Sequence, residues 1–451
     1  MNGTLQNIIS ELNSAVWGPP MLAVLLFVGL YLSVRTRFFQ IRNLGKSLKS
    51  AFLRSDKGKG GLTPFQSACT ALSATMGTGN IIGVAGAIAL GGAGAVFWMW
   101  VSALFSMIIK FSEIVLAVKY REKDGDGFIG GPMYYIKNAL PKTFYPLAVI
   151  FSLCGIVASF GCGNATQINT MSGAVRGVFP KSLSSPQTAF LINITVGIIS
   201  AVTVYAVLGG GAERIGRFTE KAVPVMTVIY TVISLGVIII NIKTIPTVFY
   251  MIIKGAFNPK SVTGGVVGSV FLSFRRGVAR GVFSNEAGLG TAPVAYACGQ
   301  SDDAVKQGML GIFEVFVDTV LVCTLTAVVV LSCGNIEYGT VGVSHITLNA
   351  FVSVYGDAIR PVFCIVMCFF AFSSVIGWGF YGSCFAVFLF GNKAKKAFVI
   401  VFCTVCILGA VSETGVIWEL SEALNGIMSI PNIIAVILLS QDVIKQVKNS
   451  T

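Results

Sequence analysis

A single histidine, His345, stands among 451 residues, and Asp, Glu, Lys and Arg together supply only 11% of the chain. One imidazole excludes a metal centre built on histidines and leaves almost no room for a histidine-dependent catalytic triad. No GxxxxGK[S/T] loop occurs, so the chain does not itself hydrolyse nucleotides. A soluble domain carries roughly 25% charge, and no stretch here is long and polar enough to form an extended soluble module. The net charge of +13 is not gathered into a basic folded module, so nucleic acid is not an expected partner. Eleven cysteines are present, but they are scattered through apolar stretches. The one CxxC, Cys403 to Cys406, has no second pair and no nearby histidine, and reads as small residues on a helical face.

What is abundant is apolar. Hydrophobic residues make up 54% of the chain and the mean hydropathy is +0.80. Eleven apolar runs of spanning length are expected, at about 17–34, 63–90, 93–118, 144–172, 187–207, 219–240, 264–296, 307–332, 361–390, 397–412 and 420–440. The first lacks a basic leader and a small-residue cleavage site, so it reads as a retained helix. Between Arg35 and Lys59 lie eight Lys or Arg and one acid, Asp56, which marks that connection as cytoplasmic and puts the amino terminus outside. With alternation from there, and with Lys221 counted in the connection its run borders, 22 of the 32 Lys and Arg fall on the cytoplasmic side, 6 outside and 4 within spans. An all-α polytopic protein of the cell membrane is the expected class, with an external amino terminus and a cytoplasmic carboxyl terminus.

The run 63–90 is interrupted in its middle by Gly77-Thr78-Gly79-Asn80. Glycines around a threonine are poor helix formers, and a break at membrane depth frees N–H and C=O groups that lipid cannot satisfy. Such breaks form ligand sites in secondary transporters, whereas close helix packing through small residues is the plainer alternative. Five spans later, 264–296 carries a second interruption, Arg280-Gly281-Val282-Phe283-Ser284-Asn285-Glu286-Ala287-Gly288-Leu289-Gly290. An odd number of spans between the two inverts the second set relative to the first. The expected architecture is one extra amino-terminal helix and then a 5+5 inverted repeat with two broken helices. Its parts would be residues 1–62 (extra helix and basic loop), 63–241 (first repeat), 242–442 (external connection and second repeat) and 443–451 (cytoplasmic tail).

Gly91-Gly92-Ala93-Gly94-Ala95-Val96-Phe97-Trp98-Met99-Trp100 closely resembles the signature of the alanine/glycine:cation symporters, also called sodium:alanine symporters. Other blocks resemble the family in the same order: Gly77 to Val84, Gly130 to Ile136, Gly163-Asn164, Arg280 to Gly290, Phe316 to Thr319, Phe370 to Ser374 with Gly377-Trp378, and Pro431-Asn432. The resemblance implies a leucine-transporter type of fold and sodium-coupled uptake of small neutral amino acids, alanine and glycine, by alternating access. Ser106, Ser383 and Tyr296 depart from the usual pattern, which puts substrate preference or regulation in question rather than the fold.

A zwitterion needs donors for its carboxylate, acceptors for its ammonium and a small apolar space. The half-helix expected to begin near Gly79 would offer N–H groups and a positive dipole end, making Gly77, Thr78, Gly79 and Asn80 substrate candidates. Gln167, Phe283 and Trp378 complete that set, the two aromatics being otherwise packing residues. Carbonyls around Ser73 to Met76, and near Phe283, could take the ammonium or sodium. By the resemblance, sodium would lie between Ser73, Met76, Ser373 and Ser374, although paired serines also bond back to their own helix. Asp318 is an ionisable residue in a span, hence either part of a second cation position with Asn80 and Ser284 or an ion pair with Arg280. Lys110 and Glu113 are expected to pair with each other. No cofactor beyond the coupling ion and no obligate protein partner is called for, and no enzymatic activity is expected. Proton coupling, and a transporter-fold sensor without net transport, stand as alternatives.

Overall fold

A computed structural model describes residues 11–13, 16–51, 61–125, 127–179, 185–263, 269–334, 336, 338–339, 345–412 and 415–450. Arg54, Asp56, Lys57 and Lys59 of the basic connection lie outside the described residues. The chain is an all-α bundle with one small addition, a hairpin of β1 (Glu122–Asp124) and β2 (Gly127–Ile129) in which Glu122 faces Ile129.

Side-chain caps formed by Thr63, Ser185, Ser269 and Asp303 start four of the helices described below. Helix α1 spans Pro19–Arg35; α2, Pro64–Thr75, begins with a capping box in which Gln66 N–H donates to Thr63 Oγ1 at 3.2 Å and Thr63 N–H donates to Gln66 Oε1 at 3.1 Å. After the interruption come α3 (Ile82–Gly91) and the 26-residue α4 (Gly94–Lys119). Next are α5 (Tyr145–Phe160), α6 (Thr166–Arg176), α7 (Pro186–Leu208) and α8 (Gly211–Ile240). The second half holds α9 (Val270–Asn285), α10 (Ala292–Ala297), α11 (Ala304–Val315), α12 (Thr324–Ser332) and α13 (Ile346–Tyr355). It closes with α14 (Ile359–Phe390), α15 (Ala394–Val411), α16 (Gly415–Leu438) and α17 (Ser440–Ser450).

Among the described residues, eight helices are long and apolar enough to cross a membrane, nine when the bent pair Pro64–Thr75 and Thr78–Gly91 is taken as one span. The two other expected spans fall short for identifiable reasons. Helix α1 has 17 residues, about 26 Å at ~1.5 Å per residue, and α9 carries Arg275, Arg276 and Arg280 within 16 residues. The apolar stretch of α4 is 83% buried, whereas those of α7 and α8 are each 28% buried. Helix α4 is therefore an interior scaffold, while Phe190, Leu191, Val202, Val228 and Ile239 of α7 and α8 present an apolar surface suited to lipid.

Two features tie the halves together. At the start of α2, Leu62 N–H donates to Cys298 O at 3.1 Å and Gln300 N–H donates to Leu62 O at 2.8 Å, a short parallel bridge to the segment after α10. Arg121 secures the same segment by donating to Gly299 O at 2.7 Å and to Asp302 at 2.6 Å. At the carboxyl end, α17 turns Val443, Ile444 and Val447 inward, and Asp442 accepts from Lys119 at 3.0 Å.

The expected Lys110–Glu113 pair is not formed. Lys110 Nζ instead meets Glu314 Oε1 of α11 at 3.1 Å, with both side chains almost fully buried. Glu113 accepts from Asn432 of α16. Both residues face neighbouring helices, so partners across the interface replace the neighbour on the same helix.

Lys110→Ala leaves Glu314 charged and unpaired in the interior, an expected loss of about 3–5 kcal/mol, whereas the double substitution Lys110→Met with Glu314→Leu is expected to recover most of it. Thermal unfolding of the purified protein in detergent, comparing both variants with the wild type, is the measurement.

Candidate functional site

The interruption at Gly77-Thr78-Gly79-Asn80 is a true break. Helix α2 ends at Thr75, a single 3-10 turn covers Thr78–Asn80, and the helical axis turns by 63° before α3 continues. Packing through small residues alone leaves a helix straight, so that reading does not describe this segment.

Four of the backbone groups opened by the break are each met by a side chain from a different helix. Ser374 of α14 donates to Ala74 O at 3.1 Å, Thr326 of α12 to Asn80 O at 2.9 Å, and Thr347 of α13 to Ile81 O at 3.2 Å. Gln167 of α6 supplies the acceptor: its Oε1 takes Thr78 N–H at 3.3 Å and Thr78 Oγ1 at 2.9 Å. Gln167 is itself held at its other end, donating to Cys162 O at 3.2 Å. That carbonyl lies in a π turn, Gly161–Ala165, which interrupts the regular ladder between α5 and α6.

Beside the break is a cavity of about 40 Å³ of water-accessible space, room for roughly three waters at ~10–15 Å³ each. Of the residues expected to hold a substrate, Gly77, Gly79, Gln167, Phe283 and Trp378 line it, and Ser374 of the expected sodium set joins them. Thr78 and Asn80 turn away, toward Gln167 and Asp318 respectively. Ser73 and Ser373 bond back to their own helices, to Thr70 O at 2.7 Å and Phe370 O at 3.0 Å, so only Ser374 of the serine pair crosses to the break. Met76 is fully buried at the end of α2, its N–H donating to Leu72 O at 2.8 Å.

The second break lies slightly later than expected. Phe283 and Ser284 are still helical, and α9 stops where Glu286 adopts φ 55°, a left-handed conformation uncommon for a residue with a side chain. Phe283 nevertheless falls within the last turn, whose carbonyls have no successor in the helix. The Glu286 carboxylate accepts from Trp378 Nε1 at 3.1 Å through one oxygen and from Thr291 Oγ1 through the other, and it faces the cavity.

Asp318, fully buried, lies in a second π turn, Phe316–Cys323. Asn80 Nδ2 donates to its Oδ1 at 2.6 Å and Thr319 Oγ1 to its Oδ2 at 2.8 Å. Ser284 is close by, 3.3 Å from Cys323 Sγ. None of the described ion pairs joins Asp318 to Arg280. The oxygen Asn80 Oδ1 is buried with no partner among the described residues, as a cation ligand would be.

Sequence reasoning missed Glu286, Arg280, Thr166, Cys162 and Asn425 as cavity residues. The first two carried a usable signal, since ionisable residues inside spans are functional candidates in the same way as Asp318. The departures from the family pattern are accommodated internally: Ser383 donates to Phe380 O at 2.7 Å, Tyr296 to Glu314 Oε2 at 3.0 Å, and Ser106 is buried in α4.

The profile of the sodium:alanine symporter family matches residues 2–451. A protein of Haemophilus influenzae described as an uncharacterized transporter is 39% identical over 450 residues, covering 99% of this chain and 96% of its own. The sodium/alanine symporter AgcS of Methanococcus maripaludis is 38% identical over 451 residues, covering 98% and 96%. Among solved structures, MhsT in complex with L-phenylalanine superposes with a TM-score of 0.60 at 12% identity, covering 87% of this chain and all of that one, a likeness of fold.

A side chain at position 79 would collide with Arg280, whose Nη2 is 2.6 Å from the place a Cβ would occupy. Gly79→Leu is expected to abolish substrate uptake while the protein still inserts in the membrane, as read by transport assay beside quantitation of the membrane fraction. Normal uptake by this variant places the site elsewhere.

Proposed function

Because the chain belongs to the sodium:alanine symporter family, we propose that the α2–α3 break holds a small neutral amino acid, alanine or glycine, together with the sodium ion that drives its uptake. The observation that carries this reading is the set of four side chains from four helices that meet the opened backbone, two of which, Gln167 and Ser374, line one small cavity. Sodium-coupled symport by a polytopic membrane protein is the activity, and sodium travels as a co-substrate rather than as a resident cofactor.

Within the site, the amino-terminal end of α3 offers a positive dipole to the substrate carboxylate. Carbonyls at the end of α2 and the last turn of α9 are the acceptors for the ammonium. Phe283 and Trp378 bound the side-chain space. One sodium position uses the carbonyls of Ser73 and Met76 with Ser374, with Ser373 behind it. A second uses Asn80, Asp318 and Ser284, and the unpartnered Asn80 Oδ1 supports it.

Eleven spans, an external amino terminus and a 5+5 inverted repeat accompany this reading. The charge asymmetry of the connections, 22 basic residues against 6, and the broken helices at α2–α3 and α9–α10 support them. In that orientation the Leu62 bridge and the Arg121 contacts close the cytoplasmic side. Parting of these contacts as one bundle rocks against the other opens the site inward. A membrane potential supplies about 2.3 kcal/mol per charge per 100 mV, enough for a substantial concentration ratio with one or two sodium ions.

Uptake of labelled alanine into proteoliposomes is expected to exceed equilibrium with an inward sodium gradient and to collapse without one. Equal accumulation in both conditions rejects sodium coupling, and accumulation driven by a proton gradient instead identifies the proton as the coupling ion. No accumulation under any gradient, with binding retained, identifies a sensor.

A further inference from the structure

Arg280 is a guanidinium in the membrane interior that forms no ion pair among the described residues. It lies in the last turns of α9 and lines the cavity, and no described hydrogen bond or ion pair engages it. Its Nε is buried without a partner. Asp318 and Glu422 are the acidic groups that act on it through space. The Asp318 oxygens are already engaged, by Asn80 at 2.6 Å and Thr319 at 2.8 Å. A buried charge in this condition is strongly unfavourable unless something else completes it.

The surroundings of the guanidinium have been shaped to hold it there. Cβ atoms at Gly79 and Gly83 would lie 2.6 Å from Nη2 and 2.2 Å from Nη1, so only glycine at both positions lets the group lie against the first turn of α3. The Phe283 ring supports it, with its centroid 5.1 Å from Cζ. Its position beside the amino-terminal end of α3 sets two positive features at one place, which repel each other unless an anion joins them. Glu286 lines the same cavity, braced by Trp378 and Thr291, and forms no ion pair with Arg280 among the described residues. One cavity thus presents a guanidinium without an ion-pair partner and a carboxyl group, complementary to the two ends of a zwitterion.

We propose that Arg280 binds the carboxylate of the transported amino acid, restricting the substrate class to molecules with a free carboxylate, while Glu286 favours those that also carry an ammonium group. This rests on the amino-acid symport reading above and assigns the charged contacts within its site. A guanidinium fork suits a carboxylate in a way that a lysine ammonium does not. The substrate carboxylate then completes the charge of Arg280 only while the site is filled.

The test compares alanine with alaninamide, which keeps the ammonium and lacks the carboxylate, as competitors of labelled alanine or by calorimetry on purified protein in sodium. Wild type is expected to prefer alanine strongly. Arg280→Gln is expected to weaken alanine about 10–100-fold, the size of a lost charge-assisted contact, and to leave alaninamide nearly unchanged, so that the preference collapses. Arg280→Lys, which keeps the charge if the glutamine variant does not fold, is expected to bind alanine about tenfold more weakly than wild type and still to prefer it to alaninamide. An unchanged alanine affinity in either variant, or equal losses for both ligands in folded protein, overturns the assignment. Failure of the wild type to bind any small amino acid in sodium rejects instead the functional reading on which it rests.

Discussion

Opened backbone inside a bilayer has to be satisfied by protein or ligand, and the structure around residues 74–81 is organised by that requirement. A helix that ran straight from Pro64 to Gly91 would satisfy its own groups and ask nothing of its neighbours. The 63° turn transfers that duty to Gln167, Thr326, Thr347 and Ser374, on four different helices. Each net hydrogen bond contributes only about 0.5–1.5 kcal/mol, but leaving one such group bare costs about 1–3 kcal/mol. The helices are thereby held in register about the break. This links local backbone geometry to the coupled movement that transport requires.

The second consequence is a division of the interior by polarity. Around the break the polar groups are arranged in part without partners, as at Asn80 Oδ1 and Arg280 Nε. Farther along α4 the charges are matched within the protein, Lys110 with Glu314 and Glu314 in turn with Tyr296. Matched groups such as these bind helices to each other. The contacts of Leu62, Cys298, Gln300 and Arg121 belong to a third kind. They join the outer ends of the two broken helices through exchangeable hydrogen bonds, suited to an interface that opens and closes.

Much of this was legible in the sequence because membranes impose strong patterning. Apolar run length located the helices, and Gly77, Gly79 and Asn80 within one run located the break, since lipid tolerates such residues only under tight conditions. The identity of the side chains meeting the break was less legible. Thr326 and Thr347 are ordinary threonines in apolar surroundings, and nothing local distinguishes a threonine that bonds its own helix, as Thr170 does to Thr166 O at 2.8 Å, from one that reaches another. The partner of Lys110 was misread for a related reason: spacing along α4 predicts Glu113, whereas the choice of Glu314 depends on how two helices face each other. The end of α9 was placed early because the glycines and polar residues from Arg280 onward read as a uniform interruption. The stop is set by the left-handed Glu286, a conformation that sequence does not announce.

The central claim is that one break holds both the amino acid and sodium, so that each binds better in the presence of the other. Reciprocal linkage makes this measurable without transport. Calorimetric titration of alanine into the purified protein over a range of sodium concentrations, with potassium holding ionic strength constant, is the direct measurement. The account predicts that below sodium saturation the apparent Kd for alanine falls about tenfold for each tenfold rise in sodium, or more steeply if two ions bind. An alanine Kd that is the same in sodium and in potassium contradicts it.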